Sequence, residues 1–206
     1  MIDCAGCEQY GCYRGDPCTR GQGDLQEYAH PTKKIYEEPA HRQALEVSTA
    51  IEGEHYMQWT RLEEVMGYAR GMGYRKIGIA HCVGLTREAR VLKDILEREF
   101  EVHAICCKFS GVDKREFGLK QIDNGRYEAI CNSVGQALVL NELGTELNLI
   151  VGLCVGHDIL FTQHSKAPVT TFIVKDRVLG HNPAVALYSN YYRRKLEASA
   201  VTGNKA

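Results

Sequence analysis

From residue 76 onward, short apolar segments alternate with amphipathic ones, and this alternation restricts the fold more than anything else in the chain. Residues 76–80, 102–106, 147–153 (LNLIVGL) and 169–174 (VTTFIV) have the apolar, β-branched character of buried strands. Residues 127–131 read as a further short strand. Between them, 86–100, 132–143 and 156–165 read as helices, with Thr86 and Asn132 as N-caps, and 183–198 reads as a single last helix opened by Pro183. Strand and helix in turn predict a mostly parallel sheet covered on both faces, a Rossmann-like α/β fold. Upstream, 39–53 and 60–71 carry helical spacing, 25–38 reads as a polar connector, and 108–126 as a long polar loop or lid. The expected organisation is a small Cys-rich N-terminal metal-binding segment at 1–24, a helical linker region at 25–74 and the Rossmann-like domain at 75–206.

Cysteine carries the chemistry. Four of the nine cysteines lie in the first eighteen residues, as Cys4-x2-Cys7-x4-Cys12-x5-Cys18. Gly6, Gly11, Gly15 and Pro17 are interleaved with them and permit a tight backbone. So short a piece has no apolar core and is expected to fold around a metal. Only one C-x2-C pair is present, and this spacing alone does not decide between zinc and an iron–sulfur cluster; the second, all-thiolate cysteine set described next favours iron–sulfur, with zinc as the alternative. Every remaining cysteine falls at or just past a strand end: Cys82, the pair Cys106–Cys107, Cys131 and Cys154. In open α/β sheets that edge is the ligand crevice. Cys82, Cys107, Cys131 and Cys154 are therefore expected to form a second thiolate site, with Cys107 preferred to Cys106 because it lies nearer the loop and precedes Lys108.

Two polar stretches reach the same edge. Cys154-Val155-Gly156-His157-Asp158 sets Cys154 and His157 at a strand-to-helix turn, as candidate nucleophile and acid–base group. Lys175 and Arg177 follow the last strand, placed to bind an anionic substrate or to offset thiolate charge. His81, beside Cys82, is a further polar candidate. A formal net charge of −1 argues against nucleic acid as a partner, and no apolar run is long enough to span a bilayer. No basic-then-apolar leader opens the chain, so a cytoplasmic location is expected. The single glycine in Cys82-Val83-Gly84-Leu85-Thr86 is neither a dinucleotide fingerprint nor a P-loop.

The Cys4/Cys7/Cys12/Cys18 cluster, IAHCVGLTREA, CCK, CNSVGQALVLNELGT and above all GLCVGHDILFTQHSKAPVTTFIVKDRVLGHNPAVALY resemble a family of uncharacterised bacterial and archaeal proteins. That family is catalogued as a domain of unknown function and labelled metal-binding. The resemblance covers nearly the whole chain. It implies metal binding by the four N-terminal cysteines, with zinc the metal the label proposes, and no established reaction. The resulting expectation is an iron–sulfur oxidoreductase with one or two [4Fe–4S] centres, the N-terminal one passing electrons inward. Its partners would be an electron donor or acceptor protein, a small-molecule substrate and possible further copies of itself. The alternative is a small-molecule binding or sensing domain with structural zinc at the N-terminus.

Overall fold

A computed structural model describes residues 3–16 and 25–201, in two compact units, Met1–Trp59 and Thr60–Ala206. The first unit contains 3-10 turns at Gly11–Arg14 and Leu25–Tyr28, then α1 (Ala29–Tyr36) and α2 (Pro39–His55). Residues 25–38 are thus largely helical, where the sequence reading has a connector. Pro31 falls in the first turn of α1, where its missing N–H costs nothing, and Thr32 Oγ1 donates to Tyr28 O at 2.7 Å. Pro39 opens α2 in the same way.

The second unit begins with α3 (Arg61–Gly71). A capping box starts it: Thr60 Oγ1 accepts from Glu63 N, and Glu63 Oε2 accepts from Thr60 N at 2.7 Å. There follow β1 (Lys76–His81), a 3-10 turn at Val83–Leu85, α4 (Thr86–Leu96), β2 (Glu101–Cys106), α5 (Ser133–Glu142), β3 (Leu147–Val151), α6 (His157–His164), β4 (Val169–Ile173), α7 (Val185–Tyr188) and α8 (Asn190–Val201). The four strands form one parallel sheet in the order β2-β1-β3-β4. The Rossmann-like α/β fold is therefore present, with helices on both faces. Alternate residues of the central strands divide between two cores. Ile77, Ile79, Leu147, Leu149 and Val151 pack with Val65 and Ala69 of α3 and Ala89, Leu92 and Leu96 of α4. Ala80 and Ile150 face the other way, onto Ala137 and Leu140 of α5 and Phe161 of α6.

Three local expectations are corrected. Among the described residues 127–131 is no strand; a single bridge, Asp113 to Ala129, ties it to the segment after β2. The segment pairs within its own loop, where Ile130 N donates to Val112 O at 2.8 Å. Thr86 is the first residue of α4 rather than its cap, because its hydroxyl donates to Val83 O and closes the preceding 3-10 turn. The last helix is broken in two at Ser189, whose backbone is extended (φ −80°, ψ 120°). Extended geometry is what a serine just before a new helix favours.

Glu146 ties the start of β1 to the turn before β3: its Oε2 accepts from Arg75 N at 2.6 Å and from Lys76 N at 2.9 Å. The Arg75 and then the Lys76 backbone N–H hold its carboxyl below the usual value of 4.5. A depressed carboxyl contributes stability that is complete above the unfolded value and is lost as pH falls through the folded one. Glu146→Gln is therefore expected to be less stable than the parent at neutral pH, with the difference closing below about pH 4 in urea melts across pH. A gap that is constant across pH would refute the assignment.

Candidate functional site: a thiol cluster at the sheet edge

The chain passes from β1 outward to β2, then returns to place β3 on the other side of β1 and continues to β4. The reversal lies between β1 and β3, and the crevice beyond their carboxyl ends is where ligands bind in such sheets. Cys82 follows β1 and Cys154 follows β3, so one thiol stands on each bank. Cys82 N donates to Val151 O at 3.1 Å and Cys107 N donates to His81 O at 2.8 Å, which holds the exits of β1, β2 and β3 in register. Cys131 reaches the site without a strand. Asn132 N donates to Cys107 O at 2.8 Å, closing the ends of the long loop on each other and setting Cys131 beside Cys107. Asn132 then caps α5, its Oδ1 accepting from Gly135 N at 2.8 Å.

Three thiols lie near one another: Cys107 stands between Cys82 and Cys131, and Val83 N donates to its sulfur at 3.4 Å. Hydrogen bonding from Cys107 pulls the Cys82 thiol down to about 4, helped by the Gly84 N–H and by Lys175 and opposed by burial. Cys131 falls to about 5 for the same first reason, aided by Lys108 and by the charge of His157. Cys107 moves the other way: its contacts with Cys131 and Cys82, together with burial, keep it protonated. Of the three, Cys107 is the one that keeps its proton, and ionisation is favoured at Cys82 and Cys131. Cys154, half-buried, accepts a hydrogen bond from Arg177 Nη2 at 3.0 Å. That contact raises the guanidinium pKa first, and the charges of Cys82 and Cys131 also contribute, so Arg177 faces all three sulfurs.

Each predicted residue can now be placed. Cys82, Cys107 and Cys131 are brought together, and Cys154, Lys175 and Arg177 join them. Cys106 is half-buried and is not among the thiols that Cys107 contacts. His157 is the first residue of α6. Its backbone N–H donates to Cys154 O at 2.9 Å, whereas the Cys154 sulfur is engaged by Arg177. Asp158 follows His157 in the first turn of α6, and its Oδ1 accepts from Ile159 N. His81 is buried, with Nδ1 3.1 Å from Cys82 O. At the N-terminus Cys4 and Cys12 are exposed and Cys7 is half-buried; Cys18 lies outside the described residues. Among the described residues no group of three or more His, Cys, Asp or Glu side chains is arranged to hold a metal ion.

Two roles at the site escaped the sequence reading, those of Lys108 and Gln136. Lys108, directly after Cys107, donates from Nζ to Ala129 O and supports Cys131. The CCK run was its only signal. Gln136 of α5 is fully buried; its Nε2 donates to Ile105 O at 2.7 Å and to His81 O at 3.3 Å, bridging the ends of β2 and β1. Its Oε1 is buried with no hydrogen-bond partner among the described residues. A glutamine on the buried face of an apolar helix was the clue.

Comparison with known proteins supports the placement of the chain in a family. No solved structure matches it. It is 52% identical, over 198 residues, to an uncharacterized protein of Methanocaldococcus jannaschii, MJ0455, across 95% of this chain and 98% of that one. Residues 21–172 match the family described as "protein of unknown function (DUF1847)". With more than half its length matched and a relative similar from end to end, the chain belongs to that family.

Proposed function

We propose that Cys82, Cys107, Cys131 and Cys154 are the ligands of a soft metal centre, an iron–sulfur cluster, and that the N-terminal cysteines bind a second metal. The observation that carries this reading is the contact among Cys82, Cys107 and Cys131 at the reversal point of the sheet, with Cys154 drawn toward them through Arg177. The donor set is all sulfur, which selects iron–sulfur, zinc or copper(I) over hard cations. Ionisation is favoured at Cys82 and Cys131, and thiolate is the form that binds metal; Cys107 holds its proton more tightly, and a metal must displace it. Lys108, Lys175 and Arg177 supply cations beside the sulfurs, and such contacts tune a cluster's potential. A bound cluster would supply one-electron transfer, and the chain would then be a redox protein acting on a small molecule.

The test is iron, zinc and acid-labile sulfide per chain after anaerobic purification, with a visible spectrum. About eight irons with matching sulfide support two [4Fe–4S] centres, and about four support one, to be located by replacing each cysteine group in turn. A colourless protein with zinc and no iron overturns the redox reading and favours a zinc-stabilised binding domain. A chain purified with neither metal overturns both.

A further inference from the structure

Gly84 leaves a gap in the wall of the thiol cluster. It lies in the 3-10 turn Val83–Leu85, directly after Cys82, and is exposed. A Cβ built there would meet, apart from its flanking residues, two side-chain atoms within 4 Å among the described residues: Lys175 Nζ at 3.4 Å and Cys82 Sγ at 3.9 Å. The space is the size of one methyl group, open to solvent and flanked by an ammonium and a sulfur. The backbone does not call for glycine here, since Gly84, unlike Gly152 at φ +68°, lies outside the left-handed region. What the missing side chain preserves is room beside Cys82.

A second sulfur lies behind the first. Cys82 and Cys107 come next after the paired strand ends His81 and Cys106, and Cys107 N donates to His81 O at 2.8 Å. Neighbouring strands lie about 4.8 Å apart, inside the Cα separation of about 4.4–6.8 Å that a disulfide spans. Both side chains belong to the same core cluster, with Ala80 and Ile150. The Cys107 sulfur accepts from Val83 N at 3.4 Å, which sets it against the peptide that follows Cys82. Exposure separates their roles. Cys82 keeps 7% of its surface and borders the gap, whereas Cys107 keeps 2%.

We propose that the metal-free chain reduces a small hydroperoxide at Cys82 and closes a Cys82–Cys107 disulfide. One peroxide oxygen enters the gap over Gly84. The Cys82 sulfur bonds to it and the O–O bond breaks. The other oxygen leaves as water with the thiol proton, beside the Lys175 ammonium, and Cys82 is left as a sulfenic acid. The Cys107 thiol then attacks the Cys82 sulfur, forming the S–S bond and releasing a second water. In all, two thiols give up two electrons and two protons, and hydrogen peroxide becomes two waters. An added dithiol reverses the bond by exchange. This goes beyond the metal reading and does not depend on it.

The test treats reduced, metal-free full-length protein with hydrogen peroxide, then alkylates, digests with trypsin and maps the cross-links by mass spectrometry. The expected product joins the peptide 77–87 to the peptide 99–108, and it persists in Cys106→Ser, which assigns the bond to Cys107. Dithiothreitol removes it. In Cys107→Ser the reaction is expected to stop at a Cys82 sulfenic acid that dimedone traps. Gly84→Ala fills the gap at ordinary contact distances on an exposed turn, so it is expected to fold and to slow the oxidation about tenfold or more. A bond from Cys107 to Cys131 instead, no bond at Cys82, or a Gly84→Ala variant oxidised as fast as the parent overturns the proposal. Metal uptake by the reduced parent is measured separately, so either reading can fail while the other stands.

Discussion

Gly78→Ala is expected to cost the second unit about 3–5 kcal/mol, or to prevent its folding. Gly78 lies in β1 opposite Asn148 of β3. An added methyl would sit 2.0 Å from Asn148 Oδ1 and 2.8 Å from Leu140 Cδ1. Neither neighbour has room to give. Leu140, on the inner face of α5, is fully buried, and Asn148 is fully buried between two hydrogen bonds. Thr145 Oγ1 donates to its Oδ1, and its Nδ2 donates to Ser165 Oγ, each at 2.8 Å. Displacing Asn148 strands those partners in the core as well as overpacking it. Denaturant unfolding of parent and variant measures the loss, and a change below about 1 kcal/mol would falsify the packing argument. Gly53→Ala in α2 is the control: nothing lies within 4 Å of its added methyl. There alanine is expected to be neutral or to stabilise by up to about 1 kcal/mol.

The second large effect is electrostatic. In metal-free, reduced protein, thiolate absorbance is expected to rise with midpoints near pH 4 and 5, from Cys82 and Cys131. Both values rest first on the hydrogen bond from Cys107. Cys107→Ala removes that donor, and loss of a hydrogen bond to a charged form makes that form less favourable. Both midpoints should therefore move up toward the ~8.5 of a free thiol, while Lys108 and Lys175 keep them from reaching it. At pH 6 the parent should show two thiolates from this pair and the variant distinctly fewer. Midpoints that stay in place would show that the lysines alone hold the thiolates.

Much of this architecture is written locally. β1, β3 and β4 are legible because buried parallel strands are short apolar runs, and Asn132 is legible as a cap because its side chain acts three residues away. Helix α3 is legible for the same reason, through Thr60 and Glu63. What failed depended on distant partners. Residues 127–131 have strand composition, but their partners are Val112 and Asp113 of the same loop rather than the sheet. The break at Ser189 is the exception: a serine ahead of a new helix is a local cap signal that the single-helix reading passed over. At the site, counting cysteines at strand ends was enough to collect Cys82, Cys107, Cys131 and Cys154. The direction of each proton was not legible, since it depends on Cys107 standing between two neighbours. Gln136 and Lys108 were missed because each acts through backbone carbonyls that only the folded chain brings within reach.

The clasp between Asn132 N and Cys107 O has an evolutionary and practical consequence. It makes the interior of the loop, between Lys108 and Ala129, a detachable module: Cys107 and Cys131 flank it at its anchor points. Lengthening a closed loop is cheap, about 0.6 kcal/mol for each doubling. Relatives are free to enlarge or trim this excursion beyond Lys108 while the thiols stay where they are. The same freedom makes it the place to insert a reporter domain, or to graft a binding loop over a preserved sulfur cluster.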